Sequence, residues 1–458
     1  MGCCGASRRT VLAAAAGAML AAAVPGSAAA QSEPLIALDL EIVTVTERGV
    51  VLTWTTFGLD PAGLPVPVPA DTEVRLAPAD SPREPVAVYH DDARTPYHYA
   101  EIDGLEPGRA YRFLALSNGI RALPGPTLTT AAPGSPEACG EFTTLTTPPG
   151  RLLHTIALAN DVHYGETVSG IVIAGFPPGY RSDPPYPQFM LDALLDDARA
   201  RDASLLLVAG DLTNEATADE SRSVRAHLDT WGALGTDYLV ARGNHDRPHP
   251  GYPNCAPTDG RADCWGDSFL PRQHMTEHHL GDLRILGLDT SAPDASGGVM
   301  DRPQLDALAD TLRADPDRPT LVFGHHPVTT EAGFTNIGGP GFVLDRATAI
   351  ELQTLYQRAP GVFLHHSGHT HRTRRTRPDL PCEVEFLEVG AVKEYPGGYC
   401  LLRIYDGGYR VNFYKTRTDQ ARRWSSLTRG QYFGTAPDYL LGTIEDRNHV
   451  VARDFSGL

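Results

Sequence analysis

Lysine is nearly absent from this chain. Of 39 basic residues in 458, only Lys393 and Lys415 are lysines. That bias toward arginine is a coding preference with no bearing on mechanism. Basic charge is also short overall, since 56 Asp and Glu leave a formal net charge of -17. So acidic a surface repels the phosphates of DNA, RNA and anionic lipid, which excludes general nucleic-acid binding but not a local basic site. The seven cysteines include no C-x-x-C pair, so neither a zinc ribbon nor a thioredoxin-type dithiol is indicated. Beyond the first thirty residues no apolar run reaches the ~20 residues of a spanning helix. Disorder is excluded too, because 41% of the chain is hydrophobic and only 21% is charged. The length allows two or three domains at ~150 residues each.

The first thirty residues have the texture of an address. Ser7-Arg8-Arg9-Thr10-Val11-Leu12 precedes an Ala-rich apolar run from Ala13 to Val24, and Ala28-Ala29-Ala30 ends it. A charged start, a short apolar stretch and a small-residue end make a secretory signal. The paired arginines resemble the twin-arginine export signal. That resemblance implies a periplasmic, cell-wall or extracellular protein with no stable membrane span after cleavage. Five cysteines then remain. Cys255 and Cys264 close a short loop and are one candidate disulfide. Cys382 and Cys400 flank a hairpin-like segment and are the next, leaving Cys139 over. Spacing does not fix the pairing.

Residues 35–147 read as short β-runs between turns, among them Val50 to Phe57, Tyr97 to Ile102 and Tyr111 to Ser117. Trp54, and Gly104-Leu105-Glu106-Pro107-Gly108-Arg109-Ala110-Tyr111 ahead of a later strand, resemble a fibronectin type III or purple-acid-phosphatase N-terminal sandwich. The resemblance implies a leucine plugging the core and a tyrosine corner. A spacer beside a catalytic domain is the favoured role over a binding module. Thr146-Thr147-Pro148-Pro149-Gly150 marks the boundary. Beyond it, apolar strand candidates alternate with helical patterns such as Pro187–Arg201 and Arg302–Arg313. After Glu383 the pattern predicts strands without helices, and from about Asp419 a polar, irregular tail.

Five short segments carry chemistry: Asp161-Val162-His163, Gly210-Asp211, Gly243-Asn244-His245-Asp246, Gly324-His325-His326-Pro327 and Gly368-His369-Thr370-His371. Each follows a strand candidate, and loops at strand ends are where α/β sheets gather functional groups. The donors are oxygen and imidazole without thiolate, a set suited to Fe, Mn, Zn or Co. On extended chain, residues i and i+2 of Asp-x-His and His-x-His would face one metal cluster together. A glycine before Asp211, Asn244, His325 and His369 would let the backbone turn as it leaves each strand. His326, His365 and His366 are expected to be packing residues.

In this order and spacing, the segments resemble the calcineurin-like metallophosphoesterase superfamily over roughly residues 155–415. The implied fold is α/β, a four-layer α/β/β/α sandwich preceded by the all-β immunoglobulin or fibronectin III-like domain. The implied domains are 1–30 signal peptide, 35–147 sandwich, 151–416 phosphoesterase and 417–458 an extension without an assigned role. Carried over by motif, Asp161, His163, Asp211 and His371 would hold a first divalent or trivalent metal. Asp211, Asn244, His325 and His369 would hold a second, with Asp211 bridging. Two such cations would lower the pKa of a water between them and so supply hydroxide near neutral pH. His245 matches the family's general acid, with Asp246 expected to hold its ring. Arg247 and His249 follow at once and are candidates either to touch substrate phosphate or to serve as surface residues.

The purple enzymes place a tyrosine three residues after the bridging aspartate, where this chain has Asn214, and they lack a histidine at the position of His163. Asp-x-His with Gly-Asn-His-Asp and Gly-His-His-Pro is more similar to the class III branch of cyclic-nucleotide and glycerophosphodiester phosphodiesterases. The resemblance therefore implies a secreted dinuclear phosphohydrolase acting on a small phosphate ester, with a lean toward diesters. An acid-phosphatase-like monoesterase is the alternative within the class, and a non-catalytic cell-surface binding protein the alternative outside it. Oligomeric state is not addressed by any of these features.

Export makes the first prediction. Replacing Arg8 and Arg9 by lysine should trap the uncleaved precursor inside cells, as seen by immunoblot of cell fractions. Normal release of that variant would mean the arginine pair is not recognised.

Overall fold

The computed structural model describes residues 35–125, 134–170, 179–247, 255, 263–292, 295–434 and 437–458. The export signal and His249 lie outside these. The chain divides into two compact units, Met1–Leu145 and Thr146–Leu458. Among the described residues, no helix is long and apolar enough to cross a membrane.

The first unit is strand-rich. One sheet joins β1 (Ile36–Val45), β2 (Val50–Leu59) and β3 (Pro65–Pro67), with β6 (Tyr97–Ile102) also on β2. The other runs β5 (Val86–Thr95), β4 (Ala70–Pro78), β7 (Ala110–Ser117), β8 (Ile120–Arg121), with β9 (Glu141–Thr143) on β7. Trp54 is buried, stacks on His98 at 4.7 Å and donates to Ser117 Oγ at 2.8 Å. The Tyr111 hydroxyl accepts the Glu106 N–H at 3.0 Å, the bond of a tyrosine corner. Leu105 is only half-buried and does not plug the core. Sequence pattern misses β5, whose polar residues Tyr89-His90-Asp91-Asp92 lie mostly exposed and show no alternation.

The second unit is mixed α/β, built on two six-stranded sheets. One runs β12 (Tyr238–Ala241), β11 (Leu205–Ala209), β10 (Leu152–Ala159), β19 (Gly398–Tyr405), β20 (Gly408–Lys415), β21 (Asn448–Ala452). The other runs β13 (Thr276–Leu280), β14 (Leu283–Leu288), β15 (Thr320–Gly324), β16 (Val362–Ser367), β18 (Glu385–Glu388), β17 (Arg374–Thr376). Strands β10, β11 and β12 are mutually parallel, as are β14, β15 and β16. Their residues are almost all buried, which is why they appear in the sequence as continuous apolar runs. Leu305, Leu308 and Leu312 of the helix Arg302–Ala314, and Leu352 and Tyr356 of the helix Arg346–Gln357, pack with Leu286, Val322 and Phe386 of the second sheet. Both helices start on aspartate caps, Asp301 and Asp345, whose carboxylates accept from first-turn N–H groups.

Two expectations are corrected here. The segment after Asp419 is ordered: helices cover Asp419–Thr428, Pro437–Leu441 and Ile444–Arg447, and β21 extends the first sheet. The first of these helices buries Ala421, Trp424, Ser425 and Thr428. That face has helical spacing, but the helix is strongly polar overall and Trp424 is its one large apolar buried residue, so it does not stand out in the sequence. Cys255 and Cys264 are disulfide-bonded, while Cys382 and Cys400 are not. Cys400 is buried in a central strand of the first sheet, whereas Cys382 packs at the helix-covered core of the second.

Candidate metal centre

The five motif segments leave the ends of β10, β11, β12, β15 and β16, all parallel strands running the same way within their sheets. They do not leave as extended chain. Asp161, His163, Asp211, His369 and His371 all have left-handed backbones, with φ of 54°, 48°, 51°, 68° and 53°. Non-glycine residues avoid that region, and its recurrence at functional groups is a known form of stored strain. The i, i+2 pairs thus converge through curled loops, not through strand alternation. The curls are held by bonds between the loops. Val162 N and His163 N both donate to Asp211 O at 2.9 Å, Asp161 N donates to Gly210 O at 3.0 Å, and His369 N donates to Asp161 Oδ2 at 3.0 Å.

The glycines serve partly a different purpose from the one expected. Gly210 does turn, at φ 85°. At Gly243, however, a Cβ would lie 2.1 Å from Asp211 Oδ1, and at Gly368 a Cβ would lie 2.8 Å from Asp161 Oδ2. There the missing side chain leaves room for the Asp211 carboxylate in the first case and for Asn160 and the Asp161 carboxylate in the second.

The seven expected ligands come together as two groups that share Asp211. His163 Nε2 is 3.8 Å from Asp161 Oδ1 and 3.5 Å from Asp211 Oδ2. His371 Nε2 is 3.4 Å from Asp161 Oδ1. His325 Nε2 is 3.1 Å from Asp211 Oδ2, 3.1 Å from Asn244 Oδ1 and 3.1 Å from His369 Nδ1. All except His371 are buried. Among the described residues, Asp161 Oδ1, both His163 ring nitrogens and His369 Nε2 have no hydrogen-bond partner. Buried polar atoms left so are costly, and a cation among them is what these donors fit. His325 Nδ1 lies 2.8 Å from Ala209 O and His371 Nδ1 lies 3.0 Å from Glu394 Oε1, so each ring turns Nε2 inward.

Proton affinities follow from this crowding. Burial lowers His325 and His371, but Asp211 and Asp161 outweigh it and lift them to about 9 and about 10. Burial, with Lys393 and His245 nearby, pushes His163 down to about 4. Asp161 and Asp211 are held well below the usual range, because His371 and His325 outweigh the cost of burying them.

Asp246 does not hold the ring of His245. Its carboxylate accepts from Leu212 N at 3.1 Å, Thr213 N at 2.8 Å, Thr213 Oγ1 at 2.7 Å and Gly243 N at 3.0 Å. Burial and Asp211 raise it to about 6. It ties the Gly243 loop to the Asp211 loop. The His245 ring is held instead by the carbonyl of Asn214, 2.8 Å from Nδ1. His365 and His366 are packing residues, bonded to Tyr356 and to the Ala159 carbonyl. His326 is buried too, against Thr290 Oγ1 at 2.8 Å, though it stands beside His325 and His369.

Sequence reasoning misses a supporting shell. Glu394, which faces His371, also accepts from Gln431 Nε2 at 2.8 Å and from Ser169 Oγ. Lys393 Nζ meets Glu166 Oε2 at 2.5 Å, and the Lys393 carbonyl accepts the Trp424 indole N–H at 2.8 Å. The one available signal was Lys393 itself, in a chain nearly without lysine.

The calcineurin-like phosphoesterase family matches residues 154–373. Over 174 residues the chain is 26% identical to the "Probable glycerophosphodiester phosphodiesterase GpdQ" of Arcobacter nitrofigilis, a stretch that covers 38% of this chain and 58% of that relative. The match thus spans less than two thirds of the relative's length. Among solved structures, the chain is similar to a dimetal phosphatase from Danio rerio at 14% identity and a TM-score of 0.42, covering 58% of this chain and 98% of that one. It is also similar to a purple acid phosphatase from yellow lupin, Lupinus luteus, at 15% identity and a TM-score of 0.41, covering 84% and 73%. The strand-end loops converge on a histidine and carboxylate cluster whose donors suit a transition-metal cation. All seven expected ligands lie within the stretch, residues 154–373, that matches the calcineurin-like phosphoesterase family.

Glu394 gives the second prediction. Partners that orient a metal-bound histidine are worth about 10–100-fold in metal affinity. Glu394→Ala should weaken Mn²⁺ binding by that order in calorimetry, and Glu394→Gln, which keeps an acceptor for His371, by less. Wild-type affinity in Glu394→Ala would remove Glu394 from the site.

Proposed function

We propose that this chain is an exported phosphohydrolase that works with two transition-metal cations and favours phosphodiesters over monoesters. Asp161, His163, Asp211 and His371 would hold one cation, and Asp211, Asn244, His325 and His369 the other; Fe, Mn, Zn and Co all suit the donors. When bound, such cations activate water and offset the negative charge of a phosphate. His245 borders the same cavity as His163, Asp211, Asn244, His369 and His371. With Nδ1 donating to the Asn214 carbonyl, its Nε2 is left to hand a proton to the departing ester oxygen. Its backbone N–H donates to Asp211 Oδ1 at 2.8 Å, which keeps the acid and the shared carboxylate in one unit.

The observation that carries the diester preference is the state of the cationic side chains. A monoester brings up to two negative charges, and recognising the second calls for a free guanidinium or ammonium. Arg372 is engaged by Glu388 at 2.8 and 2.9 Å and by the Thr335 carbonyl at 2.7 Å. Arg247 is buried and donates to Ser291 O at 3.0 Å. Lys393 lines the cavity but is paired with Glu166 at 2.5 Å and lies 4.0 Å from Glu394. Among the described residues, the cavity thus offers no unpaired lysine or arginine. Similarity to a glycerophosphodiester phosphodiesterase supports the same preference. The first unit is proposed as a spacer.

Two measurements test this. With Mn²⁺ at neutral pH, kcat/KM on bis-p-nitrophenyl phosphate should exceed that on p-nitrophenyl phosphate once the diester's lower intrinsic reactivity is allowed for. A monoester advantage larger than the intrinsic one would make the enzyme a phosphatase. His245→Ala should keep its metal content and lose ~10²–10⁴-fold in kcat on an alkyl ester, with a smaller loss for a p-nitrophenolate leaving group. Equal losses on both would exclude His245 as the acid.

A further inference from the structure

The cavity that contains the metal centre has two unlike walls. It measures about 610 Å³, within the size range of sites that enclose a whole small molecule. One wall carries the donor cluster, His245, Glu166, Lys393 and Glu394. The other carries Ile337, Gly338, Phe342 and Tyr439. The two meet directly, because the Phe342 ring stacks on the metal-facing His369 with centroids 3.8 Å apart and planes 26° from parallel. The apolar wall therefore begins one ring away from the place a phosphoryl group would occupy.

Ile337 is 58% exposed although it faces this cavity. Apolar surface left in water costs about 25 cal/mol per Å², so a bare isoleucine beside a reaction centre is a surface that gains from being covered. Its loop is also held in place. The Tyr439 hydroxyl accepts the Ile337 N–H at 3.4 Å, and the Arg372 guanidinium lies over the Tyr439 ring at 5.1 Å. Tyr439 stands on the helix Pro437–Leu441, so the C-terminal segment supplies part of the wall and pins the rest of it.

We propose that the enzyme takes phosphodiesters in which one ester group is apolar, alkyl or aryl, and that Ile337, Phe342 and Tyr439 bind that group. The proposal rests on the diesterase reading above. It sets this chain apart from an enzyme for bare glycerol diesters: a polyol would find no hydrogen-bond partner on Ile337 or Phe342, and its hydroxyls would lose water there. An apolar group instead buries its own surface and that of Ile337 together, next to the reacting phosphorus.

The test uses mixed diesters that share a p-nitrophenyl leaving group and differ in the second ester: methyl, butyl, phenyl or glyceryl. Leaving-group chemistry is then constant. Covering about 55 Å² more apolar surface corresponds to roughly tenfold in affinity. For the Mn²⁺-loaded full-length protein, kcat/KM should rise about tenfold from methyl to butyl or phenyl, with glyceryl close to methyl. Ile337→Ser, a change at an exposed position, and Tyr439→Ser should each reduce the phenyl-to-methyl ratio to about threefold or less. Calorimetric binding of phenylphosphonate against methylphosphonate reads the same preference without turnover. A glyceryl ester equal to or better than phenyl, a ratio unchanged in Ile337→Ser, or equal binding of the two phosphonates would each overturn the apolar subsite. Failure to hydrolyse any of the diesters would overturn the phosphodiesterase reading instead, and the phosphonate comparison would still decide the subsite.

Discussion

Asp211 is the residue on which the site's geometry depends. It is buried and sits at the left-handed φ of 51°. Its Oδ2 faces His325 and His163, its Oδ1 accepts the His245 N–H, and its backbone carbonyl accepts from both Val162 and His163. One residue thus ties the loops after β10, β11, β12 and β15 to a common centre. Burying that carboxylate is expensive unless positive charge faces it. Burial lowers His325, but the facing Asp211 carboxylate outweighs it and lifts that imidazole to about 9. Cations in the same place would offset the same carboxylate charge.

The neighbouring loops are shaped to serve this arrangement. At Gly243 the space a side chain would need is occupied by Asp211, and at Gly368 by Asn160 and Asp161. Asp246 spends its carboxylate on Gly243, Leu212 and Thr213, which locks the two loops that carry Asn244 and Asp211. Strained backbones persist only where surroundings over-determine them, and these cross-loop bonds are that surrounding structure.

A second layer comes from the end of the chain. Gln431 and Ser169 hold Glu394, Glu394 orients His371, and Trp424 anchors the carbonyl of Lys393. Thr428 Oγ1 accepts the Tyr395 N–H at 2.9 Å, and Ser425 Oγ donates to the Pro396 carbonyl at 3.0 Å. The segment from Asp419 onward is therefore part of the site's framework. It also brings Tyr439 to the cavity, so it bears on both the donor cluster and the apolar lining beside it.

The sequence by itself determined the donors, their order and the strands that deliver them. Asp161, His163, Asp211, Asn244, His325, His369 and His371 were legible because each lies a few residues beyond an apolar run. Those runs are conspicuous because both faces of the parallel strands are buried. Neighbourhood along the chain was enough for that. Only the tertiary structure decided which partner each group meets. Asn214 rather than adjacent Asp246 holds His245, Glu388 engages Arg372, Gln431 reaches Glu394, and Cys400 sits in the first sheet while Cys382 packs against the core of the second. The helix Asp419–Thr428 was hidden because it is strongly polar overall, with Trp424 the one large apolar residue on its buried face. Local pattern records which surfaces leave water. The pairing of polar groups distant in sequence depends on where folding puts them, and that pairing sets the charge and the walls of the cavity.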